Sequence, residues 1–399
     1  MSTPVIFGVH DANTLAQLAD VAIRADRVAL MADGHLGYIM PVGGVAAYDG
    51  KVSVAGVGFD IACGNAAIRT DLTYPDIEPY GAEIADAIQG TLSFGVGRNN
   101  LCADAPVDDP LFDDAAWDAV DDRAVRASLH DKARNQIGTV GSGNHYVDVF
   151  VDEMGRVWVG VHFGSRGFGH GVAMATMAVA AGAGWGGRVK EAETLLPLDT
   201  PLGDAYWSLM SLAGRYAYVG REWVARKVVS LLGGTEVELV HNHHNFAWKE
   251  THGGQEYVVV RKGATPAFPG QRGFVGGSMG DDAVILEGAA GESPEQRAAL
   301  YSTVHGAGRV MSRTEAAGKI NRKTGVVKKP GKVTPEMMRE WLDARGVILR
   351  GGGLDESPHA YRRLPDVLAA QGDTVRVLHT LSPVIVVMAS AREWDPYKD

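Results

Sequence analysis

Hydrophobic and polar residues alternate strictly over several short stretches. Val157, Val159 and Val161 alternate with Trp158, Gly160 and His162, a period of two that predicts a strand running into the turn Phe163-Gly164-Ser165-Arg166-Gly167. Val237 to Trp248 and Glu256 to Arg261 repeat the pattern, and shorter strands are predicted at Val52–Val54, Ala66–Thr70 and Val384–Val387. Elsewhere the period lengthens. Leu15, Leu18 and Ala22 share one face of a first helix that Asn13 or Thr14 can cap. Thr334-Pro335-Glu336 supplies a cap, a proline at the first helical position and an acid in the first turn, with Met337, Met338 and Trp341 as a core-facing stripe and Gly346 as the stop.

Composition changes this picture in one respect. Among 399 residues, 51 are glycine, about twice the usual share of ~7%, with no collagen-like period, so many turns must bend tightly or approach a ligand closely. The chain is 46% hydrophobic and carries a formal charge of −10, which suits a globular protein and excludes a histone-like nucleic-acid coat, while leaving room for a local basic groove. Its two cysteines, Cys63 and Cys102, support no disulfide framework. Residues 172–184 form the longest apolar stretch, too short for a span of ~20 residues, and the first residues lack a signal pattern, so a cytoplasmic protein is expected. No repeat or low-complexity linker divides the chain. A single domain over 1–399 is expected, with the acidic stretch near 104–125 as a surface excursion.

The glycine-rich turns display residues that bind metals or phosphates. Asp60 and Cys63 form D-x-x-C, in which a carboxylate and a thiolate can reach one centre. His145 follows Gly-Ser-Gly-Asn, a run suited to an anion-binding nest. His162 closes its strand beside Arg166, whose guanidinium suits a phosphate oxygen. His241, His243 and His244 crowd one strand, and alternation puts His244 on the face opposite the other two; spacing alone does not choose between His244 and the pair. His305 lies in His-Gly-Ala-Gly-Arg with Arg309 nearby, and Lys262 in Arg-Lys-Gly-Ala-Thr can neutralise a phosphate. Cys102 has no such neighbours and reads as inert. One thiolate, one carboxylate, several imidazoles and scattered cations suit a two-metal site for phosphoryl or nucleotidyl transfer, with zinc and manganese both compatible. No Walker A sequence occurs, and no G-x-G-x-x-G follows a strand in a βαβ unit.

Taken in order, GVGFDIACG, GSGNH, GSRGFGH, HHN, RKGAT, GSMG, HGAGRVMSR and GLDESPHAY resemble the RtcB family of RNA ligases, over about Asp33 to Tyr361. That resemblance implies an α+β fold, a single large domain of mixed and antiparallel sheets around a central metal-lined cleft. It implies ligation of RNA 3′-phosphate or 2′,3′-cyclic phosphate ends to 5′-hydroxyl ends, using GTP and two manganese ions. Asp60, Cys63, His145, His162 and His244 match the family's metal ligands, with Cys63 bridging; the family pattern is what selects His244. His305 matches the histidine that becomes guanylylated. Asn144, Asp148, Ser278, Arg309 and Tyr361 fall at guanylate-contacting positions, and Arg166 and Lys262 at RNA or phosphate positions. The implied partners are RNA ends, such as tRNA halves or damaged RNA, and an archease-like activator.

This chain departs from the family pattern at several places. Asp148 replaces a glutamate that reads guanine, Pro266 an arginine, Asp281 and Asp282 neutral residues, and Met388 a lysine that contacts the nucleotide. Three of these changes lower positive potential near the nucleotide. Two other functions therefore stand beside GTP-dependent ligation: a metal-dependent phosphoesterase that opens cyclic phosphates without ligating, and a non-catalytic binder of RNA ends or nucleotides.

Overall fold

The computed structural model describes residues 3–320, 327–391 and 393. The alternating segments become strands of two large sheets. Five strands pair in the order Val5–Ile6, Arg27–His35, Val42–Tyr48, Gln255–Lys262 and Asn245–His252. The other sheet has eight. Its main path runs from Arg272–Val275 through Ala283–Gly288, Val375–Ser390, Tyr146–Asp152, Arg156–Phe163 and Gly64–Thr73 to Glu236–His243, with Ile348–Gly352 added along Val375–Ser390. All pairings in these two sheets are antiparallel except Val5–Ile6 with Arg27–His35 and Ile348–Gly352 with Val375–Ser390. The larger sheet curls until its ends nearly meet: Asn65 Nδ2 donates to the Phe274 carbonyl at 2.8 Å, and the Phe274 amide donates to Asn242 Oδ1 at 3.0 Å. This is the α+β architecture expected, with mixed and antiparallel sheets around a cleft.

A helix of 32 residues, Pro201–Leu232, runs along the larger sheet. At 1.5 Å per residue it is about 48 Å long. Thr200 caps its start by accepting from the Gly203 amide, Pro201 takes the first position, and Gly233 ends it with φ 74°. Val159, Val161 and Phe163 of that sheet pack in one cluster with Val224, Ala225 and Val228 of the helix. No helix among the described residues is long and apolar enough to cross a membrane.

Several local expectations shift. The cap of the first helix, Ala12–Ala22, is Asp11, whose carboxylate accepts from the amides of Asn13 and Thr14. Val54 belongs to a helical turn, Val54–Val57, capped by Ser53, and the predicted strand shrinks to Lys51–Ser53. The acidic 104–125 stretch keeps its charges at the surface but sends Leu111, Phe112, Trp117 and Val120 into the core, so it is anchored along its length. Met337, Met338 and Trp341 are only half-buried, and Leu342 is the residue that the helix Pro335–Asp343 buries.

The run from Val237 to Trp248 is not one strand. It breaks at His244, where the chain leaves the larger sheet and enters the smaller one. The break is locked from the neighbouring strand, because the amides of His244 and Asn245 both donate to the Cys63 carbonyl, at 2.8 and 3.2 Å. Gly64 makes that approach feasible: a Cβ there would lie 2.2 Å from the Asn242 carbonyl oxygen. Gly64→Ala is therefore expected to destabilise the fold by about 1–3 kcal/mol through forced backbone separation, seen as a lower urea midpoint with unchanged slope.

Candidate active site

Asp60 and Cys63 reach a common point because the turn between them is tightly bent. The Cys63 amide donates to the Asp60 carbonyl at 3.0 Å, and Ala62 takes a left-handed φ of 60°, a strained conformation for a residue with a Cβ. The Asp60 carboxylate occupies space that a side chain at residue 164 would fill, since a Cβ on Gly164 would lie 2.3 Å from Asp60 Oδ1.

Three histidines from three other segments close around this turn. His162 Nε2 is 3.2 Å from Cys63 Sγ, and His145 Nε2 is 3.7 Å from the same sulfur and 3.0 Å from Asp60 Oδ2. Cys63 shares one donor triad with His162 and His244, and another with Asp60 and His145; within each triad the donor atoms all lie within 4.8 Å. Thus two groups of possible cation ligands share one sulfur.

The electrostatics fit a metal centre. Burial pushes the Cys63 thiol well up, and the Asp60 carboxylate adds to that, so ionisation of the thiol calls for cations alongside. Burial also pushes His162 and His244 well below the usual histidine value, with neighbouring rings and Arg221 adding to the effect, which leaves neutral imidazoles with a free lone pair. His244 Nδ1 is buried without a hydrogen-bond partner. A soft sulfur, a carboxylate and imidazoles suit zinc, and the carboxylate also admits manganese.

The choice among the three crowded histidines has a visible cause. Arg221, fully buried on the long helix, donates from Nε to His241 Nε2 at 2.8 Å, and its Nη2 lies 2.8 Å from His243 Nδ1. Its Nη1 donates to the carbonyls of Ala62 and Phe163 at 2.8 and 2.6 Å. Those two residues adjoin Cys63 and His162. One guanidinium fork thus takes His241 and His243 away from the centre and braces the backbone of two donors, leaving His244 to face inward.

His305 lies beside this cluster, its ring 4.9 Å from that of His244. Asp33, fully buried, accepts at Oδ2 from the amides of His305 and Gly306 at 2.9 and 3.2 Å, and lies 2.6 Å from His305 Nδ1. Burial works against the Asp33 charge, but the ring and amide of His305 outweigh it and hold the carboxyl below its ordinary value. An ionised carboxylate can only accept, so the network places a ring proton on Nδ1. Asp33 opens the glycine-punctuated segment Asp33-Gly34-His35-Leu36-Gly37-Tyr38, yet nothing local marked it as the partner of a histidine 272 positions away.

A cavity of about 320 Å³ joins these parts. Asn144, Asp148, Lys262, Ser278, Arg309 and Tyr361 all line it, as do Asp60, Cys63, His145, His162, His244 and His305. Asp148 is buried with Oδ1 lacking a partner, and burial pushes its carboxyl well up. Lys262 donates to the Tyr38 carbonyl, and burial lowers its ammonium to about 8. Arg309 donates to Tyr361 Oη at 2.8 Å, to Glu356 at 3.1 Å and to the Asp355 carbonyl at 2.6 Å.

Arg166 behaves differently from the rest. It is absent from the cavity wall, and its Nη1 lies 3.1 Å from His145 Nδ1, behind that ring. Of the unusual residues, Asp148, Asp281 and Met388 line the cavity, whereas Pro266 and Asp282 do not. Asp281 accepts from Ser278 and Arg363, so its added charge is tied down locally.

With the geometry in place, similarity to known proteins is informative. The family described as tRNA-splicing ligase RtcB matches residues 14–389. The RNA-splicing ligase RtcB of Escherichia coli (strain K12) is 32% identical over 389 residues, covering 90% of this chain and 89% of that protein. The tRNA-splicing ligase RtcB of Thermococcus kodakarensis is 31% identical, over 89% of this chain and 86% of that one. An RNA-splicing ligase RtcB homolog of Entamoeba histolytica is 28% identical over 95% and 84%.

Removing the Arg221 fork strands two ring nitrogens and two carbonyls in the interior. Arg221→Ala is expected to cost at least about 2 kcal/mol, given ~1–3 kcal/mol for a buried polar group left unpaired, and chemical denaturation of the purified variant measures it.

Proposed function

The chain belongs to the RtcB family, and from that premise we propose that it is an RNA ligase joining 3′-phosphate or 2′,3′-cyclic phosphate ends to 5′-hydroxyl ends at the expense of GTP. The observation that carries this reading is the pairing of His305 with Asp33 at 2.6 Å beside two donor triads that share Cys63. A nucleophilic imidazole needs its far nitrogen protonated and held, and Asp33 does that.

In this proposal Asp60, Cys63, His145, His162 and His244 hold two divalent ions, manganese in the first instance with zinc as the alternative. When bound, such ions supply Lewis acidity at phosphoryl oxygens. His305 Nε2 attacks the α-phosphorus of GTP, the bond from that phosphorus to the bridging oxygen breaks, and pyrophosphate leaves. Asp33 Oδ2 meanwhile keeps the Nδ1 proton and steadies the positive charge growing on the ring. An oxygen of the RNA 3′-phosphate then takes the guanylate from His305, which regains its neutral form. Attack by the 5′-hydroxyl on the activated 3′-phosphorus forms the new phosphodiester and releases GMP. Asn144, Asp148, Ser278, Arg309 and Tyr361 are proposed to hold the guanylate, and Lys262 and Arg166 to attract phosphate oxygens of the RNA. For Arg166 this requires its guanidinium to leave His145. The setting proposed is RNA repair or tRNA splicing in the cytoplasm, with an archease-like protein as activator.

The test is direct. Purified protein incubated with manganese and labelled GTP is expected to acquire an acid-labile guanylate, which RNA ends then discharge into ligated product; His305→Ala is expected to take up none. Opening of cyclic phosphate without GTP-dependent ligation would replace this reading with that of a phosphoesterase, a second function kept in view by Asp281 holding Ser278. No effect of His305→Ala on any activity would indicate a binder.

Lys262 gives a pH signature. With its ammonium at about 8, it is charged near neutrality and loses its proton as pH rises through that value. The unfolded chain, with a lysine near ~10.4, then binds more protons, so the contribution of this group to fold stability rises over the window and does not itself favour unfolding. KM for RNA is expected to climb severalfold from about pH 7 to about pH 9, and Lys262→Met is expected to flatten that dependence.

A further inference from the structure

A short antiparallel ribbon pairs Gly318–Ile320 with Val327–Pro330. Its sequence is unlike the rest of the chain. Between 319 and 332, Lys319, Arg322, Lys323, Lys328, Lys329 and Lys332 are basic and no acid occurs; removing those six charges from the formal −10 leaves −16 on the remainder. The register sets Lys319 directly opposite Lys329, then skips Lys328 as in a β-bulge. Like charges across a ribbon repel. Among the described residues no carboxylate forms a salt bridge with Lys319, Lys328 or Lys329; the nearby Glu315 is bonded to Lys332, and Lys329 is close enough for its charge to act on that carboxylate too. All three lysines are exposed.

The ribbon is also fixed in place. The Lys332 amide donates to the Glu315 carbonyl at 2.9 Å and the Val333 amide to the Ala316 carbonyl at 3.0 Å, tying its return strand to the helix Arg313–Ala317. Arg313, at the head of that helix, lines the cavity. Five helical residues span only about 8 Å, so the base of the ribbon begins within that distance of a residue of the cavity wall. A ribbon of net positive charge on an acidic protein attracts a polyanion.

We propose that Lys319, Lys328 and Lys329 form a docking surface for the phosphate backbone of single-stranded RNA entering the cleft, a reading that rests on the RNA-ligase function above. These contacts are electrostatic and independent of sequence, so their signature is salt dependence. Each phosphate neutralised on a single strand contributes ~0.7 to the slope of log K against log salt.

Binding of a short fluorescein-labelled single-stranded RNA is measured across about 50–200 mM salt for the unmodified protein, the triple variant Lys319→Gln, Lys328→Gln and Lys329→Gln, and a control with Lys51→Gln, Lys190→Gln and Lys249→Gln. Weaker binding of the first variant, with a slope shallower by about 2 and a control like the unmodified protein, supports the proposal. Equal slopes in all three proteins, weakening by both variants alike, or no RNA binding by the unmodified protein overturns it, as does binding to phosphatidylserine vesicles in place of RNA. Guanylate uptake without RNA, measured on the same preparations, separates the two claims: uptake with unchanged slopes removes the ribbon alone, whereas no uptake removes the ligase reading.

Discussion

A single sulfur atom organises this protein. Cys63 belongs to both donor triads, and burial together with Asp60 resists its ionisation. Ionisation of a thiol in that position calls for cations alongside, and the four other donors around it, Asp60, His145, His162 and His244, come with it from four separated stretches of chain. The rest of the architecture answers that demand. Its backbone carbonyl receives both His244 and Asn245, so the residue that would bridge two ions also determines where the chain crosses from one sheet to the other.

Behind the cleft, Arg221 solves a packing problem and a chemical one together. A fully buried guanidinium with no acid in direct contact is costly unless its donors are satisfied. Four neutral acceptors satisfy it, two of them histidines that would otherwise compete for the metal centre. In front, Asp33 organises His305 by a comparable economy: one carboxylate oxygen accepts from the ring and from two successive amides. The donor cluster and His305 are thus each held by several hydrogen bonds from the surrounding fold.

The end of the cavity around Asp148 and Ser278 is more individual. Asp148 and Met388 face it, and Asp281 draws Ser278 toward Arg363. Arg309 is already engaged with Tyr361, Glu356 and the Asp355 carbonyl. Ser278, Arg309 and Tyr361 thus already have partners within the protein, while the two donor triads are complete.

Much of this was legible from residues alone. Strand alternation located Arg156–Phe163 and Gln255–Lys262 to within a residue or two, and capping chemistry located the helix Pro335–Asp343, because those signals act over a few neighbouring positions. Glycine-rich turns beside Asp60, Cys63, His145, His162 and His305 singled these residues out as candidates for metal or phosphate chemistry. What local pattern could not carry was decided by tertiary contact. The break at His244 depends on a carbonyl from another strand, and the fate of His241 and His243 on an arginine from the long helix. Asp33 becomes the partner of His305 only when the sheets bring positions 272 residues apart within hydrogen-bond reach. Sequence thus determined which groups were available; the fold decided which of them meet, because hydrogen bonds and metal sites depend on distance in space and not on separation along the chain.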